Sequence, residues 1–143
     1  IVAFNYGARQ KARMMKAIKL ACAAALAIML LGLVAFQTIP DVILSIFKPS
    51  EEFMMVGCSA LRIISIHFPI AAICIVLGSV FQALGNGLYS TIVSLGRQLL
   101  ALLPAAYLLS LSGDVNMVWW AFVIAEGISL SLTIFFFNIK QFS

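Results

Sequence analysis

Apolar residues fill four long stretches of the chain, and short segments with polar, glycine or proline residues separate them. Each stretch is long enough to cross a hydrocarbon core of about 30 Å as an α-helix, which rises about 1.5 Å per residue. The pattern therefore predicts an all-α polytopic membrane helix bundle whose four transmembrane helices cover residues 16–38, 51–84, 88–111 and 117–138. The segment after Pro40 is too short to span, and its amphipathic pattern predicts that it lies among the lipid headgroups.

Capping and helix-breaking residues predict where these helices begin, bend and end. Ser50 precedes two glutamates, which is typical of a capped helix start. The second helix is longer than the hydrocarbon core requires, so it must protrude, tilt or bend, and Pro69 is the predicted kink. The run Gly-Asn-Gly at 85–87 predicts the turn into the third helix, where Pro104 predicts a second kink.

The composition agrees with a membrane protein. Hydrophobic residues make up 64% of the 143 residues, which leaves too little polar surface to cover a soluble globule of this size. The chain opens without an initiator Met and without a charged segment before an apolar core. We therefore expect no signal peptide and a start inside a longer protein.

Enzymatic motifs and metal-ligand spacings are missing from the sequence. It contains no P-loop, no HExxH and no GxSxG motif, which argues against an ATPase, a protease or a hydrolase, so we expect a protein that is not an enzyme. The three cysteines are isolated in apolar surroundings and there is one histidine. Neither a metal site nor a bound cofactor is therefore predicted.

The basic residues are distributed unevenly, and their distribution predicts an orientation. One group precedes or begins the first helix, Lys140 follows the last one, and Lys48 and Arg62 lie on the opposite side. Because basic flanks stay in the cytoplasm, we expect a multi-pass protein of the cell inner (plasma) membrane with both ends cytoplasmic. The first group can alternatively recognise an anionic lipid or an acidic substrate; it comprises Arg9, Lys11, Arg13, Lys16 and Lys19.

Polar side chains inside the apolar helices are candidates for function, because such groups need a partner, a water-filled cavity or an interface. Ser94 and Arg97 share one side of the third helix, and Glu126 lies well inside the fourth. His67, on the second helix, can serve a proton relay or an interhelical hydrogen bond. It belongs to a stripe that either packs against neighbouring helices or lines a wet pathway, formed by Ser59, His67, Ala71, Cys74, Gly78 and Gln82.

Arg97 and Glu126 are predicted to lie at nearly the same depth. The helical rise places Arg97 about 13 Å above the inner end of its helix and Glu126 about 14 Å below the outer end of its own, within a core of about 30 Å. We predict that they are partners, either as a structural ion pair or as part of a substrate or proton site. The candidates for the substrate or ion pathway are Glu126, Arg97, His67, Gln82 and Ser94.

Several segments together resemble the C-terminal part of bacterial transporters of the multidrug and toxic compound extrusion (MATE) family. The end of the family's eighth helix resembles FNYGAR at 4–9, and its tenth helix resembles RIISIHFPI and VFQALGNG. Its eleventh helix resembles SLGRQLLALLPAAYLLS, and its twelfth resembles VWWAFVIAE. The resemblance covers nearly the whole chain.

The resemblance implies a twelve-helix protein of two six-helix lobes, in which this chain would hold helices nine to twelve. Such a protein exports cationic or amphipathic drugs by alternating access, as a secondary antiporter driven by the entry of sodium or protons. Many sodium-coupled relatives carry an acidic residue on the tenth helix, where this chain has Ala71 and uncharged neighbours, so we expect protons to be the coupling ion.

The partners implied by the resemblance are membrane lipid, drug-like small molecules and an N-terminal lobe of the same polypeptide, with no nucleic acid. Two other functions remain open. One is a lipid-linked oligosaccharide flippase of the same superfamily, whose cavity should be more cationic than these apolar spans allow. The other is an inactive, truncated membrane module, which has no need of a buried acid.

Overall fold

The computed structural model describes the backbone of residues 1–141 and the side chains of residues 1–139, and helices dominate this range. No strand occurs within it, so the predicted all-α class is confirmed. The elements are α1 (Val2–Gly7), α2 (Lys11–Thr38), α3 (Pro40–Ser45), α4 (Glu51–Ser65), α5 (Phe68–Ala83), α6 (Gly87–Leu95), a π-helical segment (Gly96–Leu102), α7 (Leu103–Ser110) and α8 (Val115–Gln141).

Three helices of the described chain are long and apolar enough to cross a membrane. They are α2, the continuous helix Gly87–Ser110, and α8 over Val115–Ile139. The pair α4 and α5 makes a fourth span if its two bent halves count as one. By length and composition the chain is therefore a multi-pass membrane helix bundle.

The first and last spans extend beyond their predicted limits. The helix α2 begins at Lys11 rather than Lys16, so most of the first basic group lies on its opening turns. The helix α8 runs from Val115 to Gln141, so Lys140 lies within it and does not follow it as predicted. The side chain of Lys140 lies outside the described residues.

The predicted bend in the second span is a break between two helices and not a kink within one. The axes of α4 and α5 differ by 54°, and Ile66 and His67 lie between them. Pro69 occupies the first turn of α5, where the missing backbone N–H costs no helical hydrogen bond. The break follows from the sequence because a proline cannot continue the hydrogen-bond ladder of α4.

A glutamine from α2 contacts this break. Gln37 Nε2 donates to the Arg62 carbonyl at 2.7 Å and to the Ser65 hydroxyl at 3.0 Å. Ser65 is fully buried and donates to the same Arg62 carbonyl at 2.9 Å. The last carbonyl groups of a helix have no intrahelical partner, so a side chain from another helix satisfies one of them here.

The third span is continuous through Pro104, where a second kink is predicted. The residues before the proline form the π-helical segment, and Gly87–Ser110 continues as one helix of 24 residues. A proline ring clashes with the carbonyl four residues earlier, and a widened turn relieves that clash. Arg97 lies in this widened segment, and π-helical turns frequently occur at functional sites.

Two shorter features agree with the predictions. The Ser50 hydroxyl accepts a hydrogen bond from the Phe53 backbone at 3.3 Å and so caps α4. The turn at 85–87 separates α5 from α6, and Gly85 has a φ of 76°, which favours glycine. The amphipathic segment after the first span contains α3, which buries Leu44 and exposes Val42.

The helix α5 lies at the centre of the bundle and contacts α2, α6 and α8. Ala72 on α5 and Ala121 and Ala125 on α8 are almost completely buried. Small side chains at these positions let the helix backbones approach closely, which is how membrane helices associate in the absence of a strong hydrophobic force. This packing places the polar faces of α5 and α8 next to each other.

We predict that Gln37→Leu destabilises the protein by about 1–2 kcal/mol, because it removes two hydrogen bonds from the α4–α5 break. The free energy of unfolding in detergent micelles measures this effect. Gln10→Leu is the matched control, since Gln10 is exposed and its side chain makes no cap hydrogen bond. Equal stability of the two variants would mean that α2 does not support the break.

Candidate functional site

An ion pair joins the third and fourth spans inside the bundle. Arg97 Nη1 donates to Glu126 Oε2 at 3.0 Å, so the predicted partners are in contact. The two ends of the pair differ in exposure: the Glu126 side chain is 3% exposed and that of Arg97 is 39% exposed. The carboxylate is therefore fixed in the interior, whereas the guanidinium reaches an open surface.

The Cys74 thiol is a neighbour of the Glu126 carboxylate, but the second carboxylate oxygen lacks a hydrogen bond to the described residues. Oε1 is buried and makes no hydrogen bond within the part of the chain that the structure describes. Thr133 Oγ1, two turns further along α8, is likewise buried without a partner there. Buried polar atoms of this kind are costly unless something else satisfies them. The carboxylate oxygen is able to accept a proton or a ligand hydrogen bond, and the Thr133 hydroxyl is able to form a hydrogen bond with a ligand.

Both oxygen-bearing residues line a cavity of about 200 Å³, which we call the polar cavity. It lies between α5, α6, the π-helical segment and α8. Gln82 Nε2 donates to Ser90 Oγ at 3.1 Å on its α5–α6 side. Its polar or small lining residues are Cys74, Gly78, Ser79, Gln82, Ser90, Ser94, Arg97, Glu126, Ser129 and Thr133.

A second cavity of about 240 Å³ lies on another side of the ion pair, and we call it the histidine cavity. His67 reaches it from the α4–α5 break, where its Nδ1 contacts the Ile64 carbonyl. The His67 ring stacks on Phe122, with centroids 6.2 Å apart. The other lining residues are Gln98, Leu102 and Ala125, together with Arg97 and Glu126 of the ion pair.

The structure thus places all five predicted site residues around the ion pair. Gln82 and Ser94 line the polar cavity, His67 lines the histidine cavity, and Arg97 and Glu126 line both. Ser59, predicted on the same stripe as His67 and Gln82, lies on α4 before the break and lines neither cavity. The span bends by 54° at the break and its helical period is interrupted there, so one period cannot describe both halves.

Sequence reasoning missed two residues of the histidine cavity. Phe122 lies four residues before Glu126 on α8, and this spacing places both on one helix face. Gln98 follows Arg97 directly. It is a polar side chain within an apolar span, and this feature of the sequence could have identified it as a candidate. Gln98 lies in the π-helical segment, which the sequence pattern did not predict.

Comparison with known proteins identifies a family for the chain. No curated protein and no solved structure matches the chain. A family model described as MatE matches residues 1–108, which include Gln82, Ser94 and Arg97, whereas Glu126 lies beyond the matched range. Because the match covers 108 of the 143 residues, this chain belongs to the MatE family, whose members are membrane transporters.

Proposed function

We propose that this chain supplies the last four spans of a twelve-helix, two-lobe MATE transporter. In this proposal the whole protein exports cationic or amphipathic compounds by alternating access, as an antiporter coupled to ion entry. The supporting observation is the position of Glu126, a buried carboxylate with one paired and one unpaired oxygen between two cavities. An ionisable residue inside a membrane span is expensive to keep, which favours a functional role.

Glu126 would alternate between three positive partners. In the structure its charge is compensated by Arg97, whose long side chain is the more exposed of the two and is able to withdraw. A cationic substrate can then take the place of the guanidinium, and a proton can take the place of both. The carboxylate carries one negative charge, so a bound proton disfavours binding of the cationic substrate and a bound substrate disfavours protonation. Antiport requires this mutual exclusion.

The polar cavity suits compounds of varied shape. Its hydroxyl and amide groups come from Gln82, Ser94 and Ser129, and Ile75, Phe81 and Val93 add apolar surface. Such a lining offers a few hydrogen bonds and much non-directional contact, which is typical of small-molecule sites. The combination with a single carboxylate favours amphipathic cations over anionic substrates.

The same charges disfavour the flippase alternative. A pyrophosphate-linked lipid requires several cations, whereas the polar cavity contains one guanidinium, and Glu126 already neutralises it. An inactive membrane module has no need to retain a buried acid with an unpaired oxygen. We therefore favour efflux over both alternatives.

We propose the proton as the coupling ion. While Arg97 is bound to Glu126, the pair carries no net charge and does not attract a sodium ion. A proton needs one carboxylate oxygen, and Glu126 Oε1 is available.

We further propose that the protein resides in the inner (plasma) membrane with both ends of this chain in the cytoplasm. The start of α2 and the end of α8 lie at one end of the bundle, since Lys11 and Phe137 line a common cavity there. This end contains the first basic group, as the positive-inside rule requires for a cytoplasmic face.

In the full-length transporter, we expect Glu126→Gln to lower the efflux of a fluorescent lipophilic cation by at least roughly tenfold, a loss of about 1.4 kcal/mol in transition-state stabilisation. The amide keeps the size of the side chain but removes its negative charge. In the proposal, the cationic substrate replaces Arg97 as the partner of this charge. Glu52→Gln is the matched control at an exposed position. Unchanged efflux at normal expression would reduce Glu126 to a packing residue.

A charge swap separates the structural role of the pair from its transport role. We expect Arg97→Glu and Glu126→Arg to lower the yield of folded protein singly, because each leaves like charges together. The double variant should restore the yield but not efflux, since the carboxylate then projects from the more exposed helix. If the double variant recovered neither the yield nor efflux, the result would argue against the pair. If it recovered both, the pair would have a purely structural role.

The coupling ion is tested in vesicles that contain the full-length protein. We expect an imposed pH gradient to drive uptake or efflux of the cation without sodium, and a sodium gradient at equal pH to drive none. Glu126→Gln should abolish the response to the pH gradient. Transport driven by sodium alone would exclude the proton as the coupling ion.

A further inference from the structure

A third cavity lies at the basic end of the bundle, away from the ion pair, and we call it the basic-end cavity. Its volume is about 270 Å³. It is formed by α1, the start of α2, and the ends of α5 and α8. Phe81 is shared with the polar cavity, whereas the ion pair and His67 do not line it.

The lining of this cavity has two chemically different parts. Ile18, Val80 and Phe81 form an apolar floor and are almost completely buried. Arg9 and Lys11 lie at its edge and are exposed. A ligand that matches both parts has an anionic head and an apolar tail.

The cations at the edge have no acidic neighbour in the sequence. The first carboxylate of the chain is Asp41, beyond the far end of the 28-residue helix α2, which places it about 40 Å away. The salt bridge found in the described residues joins Arg97 to Glu126, not either of these side chains. Arg9 and Lys11 therefore present positive charge that an external anion can compensate.

The backbone also holds Arg9 in an unusual conformation. Its φ is 54°, a left-handed value that is uncommon for a residue other than glycine. The α1–α2 turn fixes this conformation, because the Arg9 N–H donates to the Tyr6 carbonyl at 3.0 Å and the Gln10 N–H donates to the Asn5 carbonyl at 2.8 Å. These hydrogen bonds form a common helix C-cap, in which a left-handed residue follows the last turn, and they hold Arg9 beside the cavity.

We infer that the basic-end cavity binds an anionic phospholipid, with its phosphate at Arg9 and Lys11 and an acyl chain against Ile18, Val80 and Phe81. The helix α2 begins here and α5 and α8 end here, so the cavity lies at the level expected for lipid headgroups. Anionic lipids and clustered basic residues attract each other at this level. A free phosphate lacks the chain that the apolar floor would cover, and the inference is independent of the transport function proposed above.

The test measures lipid binding to the purified full-length protein in neutral detergent by native mass spectrometry, with dioleoylphosphatidylglycerol as the probe and dioleoylphosphatidylcholine as the neutral lipid. We expect a retained phosphatidylglycerol adduct that the double variant Arg9→Gln/Lys11→Gln weakens by roughly tenfold or more. The matched control, Arg13→Gln/Lys16→Gln, removes the same charge from neighbouring residues that do not line the cavity, and it should retain most of the binding.

Each remaining outcome contradicts the inference. Equal loss in the two double variants would indicate diffuse attraction to the basic group, and equal binding of phosphatidylcholine would remove the need for an anionic head. Displacement of the adduct by glycerol phosphate, which has no acyl chain, would identify a free phosphate site. If the change at Arg9 alters folding, the single variant Lys11→Gln replaces the double variant. We expect its binding of phosphatidylglycerol to fall as well.

Discussion

The ion pair between Arg97 and Glu126 is the interaction on which the arrangement of the bundle depends. An isolated charge in a low-dielectric interior costs several kcal/mol, so Glu126 is tolerated there only with a compensating cation. The cation comes from the π-helical segment of the preceding span, which must therefore pack against α8 at this depth. Loss of Arg97 leaves the buried Glu126 carboxylate uncompensated, whereas loss of Glu126 costs less because Arg97 is 39% exposed and its charge is partly solvated.

Small side chains near the Arg97–Glu126 ion pair let the helices pack closely while polar groups remain in the interior. Ala121 and Ala125 on α8 and Ala72 on α5 are buried almost completely. The remaining interior oxygens are incompletely paired, as Glu126 Oε1 and Thr133 Oγ1 show. A protein selected for stability alone would satisfy or replace these atoms, and departures of this kind occur mainly at functional sites.

The helix α5 connects the three cavities. The break before it directs His67 to the histidine cavity, its middle presents Cys74 to the polar cavity, and its end supplies Val80 to the basic-end cavity. Gln37 holds the break through the Arg62 carbonyl. A change in the orientation of this helix would therefore alter all three cavities together, since membrane-helix packing is close and its members move as rigid elements.

The sequence by itself determined the apolar helical stretches, the Ser50 cap, the break near Pro69 and the common depth of Arg97 and Glu126. These features depend on hydrophobic length, on the helical rise and on local backbone chemistry, all of which act along one helix. Only the tertiary structure decided the π-helical turn before Pro104, the bridge from Gln37 and the residues of each cavity, including Gln98 and Phe122. They depend on which faces of different helices meet, and the periodicity of a single helix does not contain that information.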